Sequence, residues 1–317
     1  MTTPLTPESK IVLFGGAGLV GQNLVVLLKQ RGYHRLVVID KHPANLAVLR
    51  RLHPEVTSIE ADLSIPGDWQ HAAAGADVAV MLQAQIGGEV EGEFTRNNVE
   101  ATRHALEACQ RHELKFLVHI SSSVVQSMAR DWYTESKKAQ EKVVAESGMP
   151  HCVLRPTLMF GWFDRKHLGW LSRFMQRMPV FPIPGSGRYM RQPLYVRDFC
   201  NIILSCMLKQ PAGEVYDVTG REKVDYIDII RRIKQVTGAR AMILRIPYGL
   251  FWLLLKVFSV FSRNPPFTTK QLAALVTPDE FVLIPWWDIF DVPATPFERA
   301  VQETFCDPVY SNVVLEF

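Results

Sequence analysis

Short apolar runs alternate with helical patterns through the first half of this chain. Ile11–Phe14, Leu36–Ile39, Val56–Ile59, Val78–Leu82, Phe116–Ile120 and Cys152–Leu154 read as buried strands. Between them, apolar residues recurring every three or four positions predict helices over Gly21–Arg31, Pro43–Leu52, Asn97–Arg111 and Trp132–Ser147. A strand–helix rhythm of this kind predicts an α/β fold. Its core is a doubly wound parallel sheet with helices on both faces and right-handed crossovers.

The pattern changes after about Leu158. Pro179, Pro182, Pro184, Gly185 and Gly187 mark a loop-rich passage. Helices are predicted over Tyr195–Leu208 and Tyr226–Val236. The tail from Pro278, punctuated by Pro285, Pro293 and Pro296, reads as irregular. The expected organisation is a nucleotide-binding unit over residues 1–158, with strands returning from later chain. A smaller substrate-binding region and C-terminal tail over 159–317 would close over the carboxyl ends of the strands. The stretch Tyr248–Phe261 is nearly all apolar. It is shorter than the roughly 20 residues that span a bilayer, and Lys256 interrupts it, so no transmembrane segment is expected. It reads as a buried helix; lining an apolar substrate pocket or touching a membrane surface are the alternatives.

Composition narrows the classes. A length of 317 residues fits one large or two modest domains, and 48% hydrophobic residues suffice for a core. The net charge is +3, spread along the chain without a basic stripe, so no nucleic-acid partner is expected. The five cysteines are odd in number and lack a Cys-x-x-Cys spacing, which reads as reduced thiols. The nine histidines show no paired ligand spacing, so no metal site is expected. Met1–Lys10 is polar and unlike a signal peptide, which points to a cytoplasmic protein.

Two motifs carry chemistry. Gly15-Gly16-Ala17-Gly18-Leu19-Val20-Gly21 joins the first strand to the first helix. In such a loop Gly15 permits the tight turn, Gly18 lets backbone approach a pyrophosphate, and Gly21 permits close helix packing. The helix start then offers free N–H groups to phosphate. Asp40 ends the second strand, where a carboxylate accepts ribose hydroxyls and repels a 2′-phosphate. This favours NAD over NADP, although Lys41 beside it acts in the opposite sense. Asp62-Leu63 follows the third strand and is placed either to hold an adenine or to cap a turn. The second motif is Tyr133-Thr134-Glu135-Ser136-Lys137. On a helix Tyr133 and Lys137 share one face, and a nearby ammonium favours the phenolate needed for proton transfer coupled to hydride transfer.

From about Lys10 to Leu208 the chain resembles the extended short-chain dehydrogenase/reductase superfamily, of the NAD-dependent epimerase/dehydratase type. The matching elements are Gly15-x-x-Gly18-x-x-Gly21, Asp62-Leu63, and Asn98-Val99-Glu100-Ala101-Thr102 ahead of Leu106-Glu107-Ala108-Cys109. Next come Ile120-Ser121-Ser122-Ser123 with Tyr133-x-x-x-Lys137, then Leu154-Arg155-Pro156 with Phe160-Gly161, and Arg191–Asp198. The resemblance implies a Rossmann-type fold and NAD as cofactor. It implies Tyr133 as acid/base, Lys137 as holder of the nicotinamide ribose, and Ser122 as assisting hydroxyl with Ser123 as the alternative. The implied cofactor set extends to Leu19, Val20, Lys41, Gln83 and Pro156, and Arg191 would bind a substrate pyrophosphate. A homodimer through the helices over 97–111 and 132–147 is implied as well.

Departures from the family pattern bear on the substrate. Only ten residues separate Ser123 from Tyr133, the fourth-strand motif reads Leu82-Gln83-Ala84-Gln85, and no acid follows Ser122, which argues against 4,6-dehydration. The leading expectation is an NAD-dependent epimerase or 4-keto reductase of a nucleotide sugar. The alternatives are an oxidoreductase of a sterol- or isoprenoid-like alcohol, suggested by 248–261 and Asn264-Pro265-Pro266-Phe267-Thr268, and a non-catalytic NAD-binding assembly subunit.

Overall fold

The computed structural model describes residues 4–128, 130–261, 269–277 and 281–316; the segment Asn264–Thr268 lies outside them. Seven parallel strands form the central sheet. Six come from the first half: β1 (Lys10–Phe14), β2 (Arg35–Asp40), β3 (Thr57–Glu60), β4 (Val78–Met81), β5 (Phe116–Ile120) and β6 (His151–Pro156). The seventh, Val215–Val218, returns from the later chain and pairs with β6, Val215 opposite Val153. The spatial order is Val215–Val218, β6, β5, β4, β1, β2, β3.

The two-residue period of β1 explains both layers of core. Ile11 and Leu13 face one side, packed with Leu24 and Leu28 of the helix Leu19–Gln30 and with Phe199 and Ile203 of the helix Val196–Lys209. Val12 and Phe14 face the other side, with Ala105, Leu106 and Cys109 of the helix Ala101–Arg111. The strand order reverses between β1 and β4, so their carboxyl ends diverge and open a crevice, the usual ligand position of doubly wound sheets.

The predicted helix over Asn97–Arg111 begins earlier than expected. A short helix, Glu91–Phe94, runs into a π turn at Thr95–Glu100 before the regular helix. The π turn presents Asn97 and Asn98 to the loop after β4. Asn97 donates to Gln85 Oε1 at 3.0 Å, and Asn98 accepts from the Gln85 amide at 2.6 Å.

A second core lies beyond the sheet, built from Phe160, Met175, Ile183, Ile230, Ile233 and Val301, among others. Three readings of this region need correction. Val180–Pro184 is a strand, not a loop: it pairs only with Met242–Ile246 in a two-stranded sheet, where prolines interrupt few ladder bonds. The tail is not wholly irregular: Pro296 precedes the helix Phe297–Cys306 and acts as a start signal, and Trp286 is buried, donating to the Thr219 carbonyl at 2.9 Å. The helix Tyr248–Phe261 forms but is not buried. Among its described side chains Phe251 alone is buried, while Leu250, Leu253 and Leu254 are about half exposed. No helix among the described residues is long and apolar enough to cross a membrane. All five cysteines are free; Cys306 is exposed and the other four are buried.

Candidate active site

The glycine loop lies in the crevice. Gly15 has φ of +72°, and a side chain there would also meet the Gln83 backbone nitrogen at 2.5 Å, so both conformation and space require glycine. A Cβ on Gly21 would collide with the Gly16 carbonyl oxygen. Gly21 therefore allows the helix to fold onto its own loop, a contact more local than the helix–strand packing expected from the motif. Gly18 differs: nothing lies within 4 Å of its Cβ position, and it caps the helix of Leu19 and Val20 without a side-chain acceptor. The first amides of that helix, with the positive end of its dipole, face open space.

Asp40 is buried at the end of β2. One carboxylate oxygen accepts the Ala17 amide at 2.9 Å and the other the His42 amide at 3.0 Å, so this side chain fixes the loop. Lys41 turns away to Asn97 Oδ1 at 2.7 Å and lies 4.0 Å from Asp62. Burial opposes the charge of Asp62, but the Ser64 hydroxyl and amide, helped by Lys41 and Arg96, hold its carboxyl below the usual value. Leu63 is packed in the core beneath it.

Asp131 caps the helix Trp132–Glu146, accepting the Thr134 amide at 2.9 Å and its hydroxyl at 2.8 Å. That start places Tyr133 and Lys137 one turn apart on the inward face. Ser122, just beyond β5, lies beside the Tyr133 phenol, its hydroxyl accepting the Val124 amide at 3.4 Å, whereas Ser123 is the first residue of a 3₁₀ turn. In this arrangement the phenol is raised from its ordinary value. Burial is the main cause and the Asp131 charge adds to it, while the Ser122 hydrogen bond acts against them. The expected acidification by lysine is not seen, because Lys137 points elsewhere. Its ammonium donates to the Ile120 carbonyl at 3.0 Å and to Gln140 Oε1. Lys137 is fully buried, and desolvation brings it down to about 7, against the opposing effect of Glu141.

Sequence reading missed Gln140, which sits one helical turn beyond Lys137; its i+3 spacing was the available signal. Its amide nitrogen donates to the Thr102 hydroxyl at 2.8 Å, which also accepts from Gln83 at 3.1 Å. A buried polar chain thus runs from Lys137 through Gln140 and Thr102 to Gln83, beside Gly15. Asn98 joins the same wall, donating to Ser136 Oγ at 2.8 Å. Pro156, at the end of β6, pairs with Val218, and Arg155 is held by Glu141 at 2.6 and 2.9 Å.

Arg191 is not drawn into this group. Its guanidinium donates to the Met190 carbonyl at 2.9 Å, the Thr277 carbonyl at 2.8 Å and the Leu275 carbonyl, tying down the end of the helix Thr269–Val276. A cavity of about 430 Å³ lined by Met175–Pro179 and Thr237–Ala241 contains none of the candidate residues.

The glycine loop, the Ser122–Tyr133 pair and the buried lysine make one connected set. A family model described as the NAD dependent epimerase/dehydratase family matches residues 11–219, well over half of the chain. The chain belongs to that family. Its members of known activity are NAD-dependent epimerases, dehydratases and dehydrogenases of the extended short-chain dehydrogenase/reductase type. A ceramide reductase of Caulobacter vibrioides is 26% identical over 244 residues, 75% of this chain and 73% of that protein. A 3-beta-hydroxysteroid dehydrogenase of Mycolicibacterium neoaurum is 26% identical over 274 residues, 76% of this chain and 74% of the relative. Among solved structures, a UDP-glucuronic acid 4-epimerase from Bacillus cereus in complex with NAD has a TM-score of 0.65 at 24% identity. It covers 75% of this chain and 87% of its own. That likeness supports the α/β Rossmann-type fold.

Proposed function

We propose that this protein is an NAD-dependent oxidoreductase that interconverts a secondary alcohol and a ketone on an apolar substrate. The carrying observation for the reaction is the Ser122 hydroxyl beside the Tyr133 phenol, one helical turn from a buried lysine. The crevice fits the cofactor: Gly18 leaves room over uncapped helix amides, and Asp40 fixes the loop that borders them. When bound there, NAD supplies the hydride acceptor. Tyr133 exchanges the proton of the substrate hydroxyl, Ser122 hydrogen-bonds the same oxygen, and Lys137 takes the ribose side of the pocket. Gly15, Gly18, Leu19, Val20, Gly21, Asp62, Leu63, Gln83 and Pro156 complete the proposed cofactor surface.

The choice of an apolar substrate rests on Arg191. Its cation is committed to backbone carbonyls and so is not presented as a clamp for a substrate pyrophosphate. Two relatives are described as acting on a ceramide and on a steroid. The nucleotide-sugar reading is kept as the second, because the Bacillus cereus neighbour is a nucleotide-sugar epimerase. The test is turnover of NAD or NADH with sterol, isoprenoid and ceramide alcohols and ketones, beside product analysis of UDP- and dTDP-sugars because an epimerase regenerates its NAD, in wild type and Tyr133→Phe. Tyr133-dependent turnover of an apolar compound is expected. Turnover of a nucleotide sugar alone, lost on Arg191→Gln, would replace the proposal with the second reading.

A further inference from the structure

The helix Tyr248–Phe261 lies on the surface, and most of its described apolar side chains are exposed. Leu250, Leu253, Leu254 and Val257 are 50 to 52% exposed and Trp252 is 39% exposed. At i, i+3, i+4 and i+7, the helix thus presents apolar side chains on one face where a surface helix carries polar residues. Its charge is also one-sided. From Arg240 to Pro278 the sequence has five lysines and arginines and no aspartate or glutamate. Of these, Arg240, Arg245 and Lys256 are exposed. Lys256 sits over the Trp252 ring at 5.3 Å, which places an aromatic and a cation together at the border of the apolar face.

We infer that this helix docks on the surface of an anionic phospholipid bilayer. At 14 residues it is about 21 Å long, too short to cross a hydrocarbon core of about 30 Å, so it lies in the plane of the interface. Its leucines enter the acyl boundary and Trp252 takes the headgroup level, while Arg240, Arg245 and Lys256 meet lipid phosphates. The cations of Arg240–Pro278, with no acidic residue among them, supply the charge complementarity that an anionic lipid surface requires. The inference stands on this surface and does not depend on the substrate reading.

The test is flotation of the full chain with vesicles of phosphatidylcholine alone and of phosphatidylcholine mixed with phosphatidylglycerol. Leu253→Glu/Leu254→Glu and Arg245→Glu/Lys256→Glu serve as variants. All four sites are exposed, and unchanged thermal unfolding reports an intact fold. Binding to the mixed vesicles is expected, weakened by salt. Each removed cation is expected to cost about five-fold in partitioning, and the leucine pair to abolish it. No flotation with either composition, or flotation indifferent to Leu253→Glu/Leu254→Glu, overturns the inference. A dimer in sedimentation that these same substitutions dissolve also overturns it, by assigning the face to a second copy of the chain.

Discussion

Lys137 makes folding stability depend on pH in a way that one substitution isolates. The side chain is fully buried, and its hydrogen bonds to Ile120 and Gln140 are with neutral groups. The nearest carboxylate, Glu141, is committed to Arg155. Desolvation therefore wins, and the amine falls from 10.5 to about 7. The sign follows from proton counts. Between pH 7 and 10.5 the unfolded chain holds the lysine proton and the folded chain has lost it, so stability rises with pH across that window. From pH 7 to pH 9 the gain is about 2 kcal/mol, from ~1.4 kcal/mol per pH unit less the residual protonation of the folded form. Lys137→Met removes the titration and roughly preserves the volume. Urea unfolding of both proteins at pH 7, 8 and 9 measures the difference, from which the other titrating groups cancel. Wild type should gain about 2 kcal/mol on the variant over that range. A difference that stays constant with pH would refute the argument, because it would mean that the folded state keeps the ammonium charged.

Other predictions rest on single contacts. Gly18→Ala should unfold like wild type but bind NAD at least ten-fold more weakly, measured by fluorescence titration. Gly21→Ala should lower the melting temperature by several degrees, because its new methyl meets the Gly16 carbonyl. Tyr133→Phe should reduce kcat by about 10²–10⁴-fold with NAD affinity retained, and equal loss of both would argue against proton transfer at this residue. Ser122→Ala removes a hydroxyl that lowers the phenol, so in ketone reduction, where the phenol is the acid, the basic limb of the pH–rate profile should move to higher pH; an unmoved limb would detach Ser122 from Tyr133.

Much of the fold and of the candidate site is legible in the sequence because its rules are local. The apolar runs of β1, β2, β4 and β5 announce a parallel sheet, since residues buried on both faces need no alternation. Gly15 is required by a backbone angle, and the pairing of Tyr133 with Lys137 by the 3.6-residue turn; both are properties of a few consecutive residues. The family resemblance rested on such local elements.

What the sequence left open depends on groups distant along the chain. Which serine meets Tyr133 is set by how β5 ends against the helix Trp132–Glu146. The direction of Lys137 depends on Gln140 and on a strand carbonyl 17 residues away, and so the phenol is raised where spacing alone suggested acidification. Arg191 looks like an anion clamp in sequence, yet carbonyls more than 80 residues later occupy it. The helix Tyr248–Phe261 has the composition of a core element, but composition counts side chains without saying what covers them. Tertiary packing left that helix on the surface, because exposure is fixed by neighbours that no local periodicity encodes.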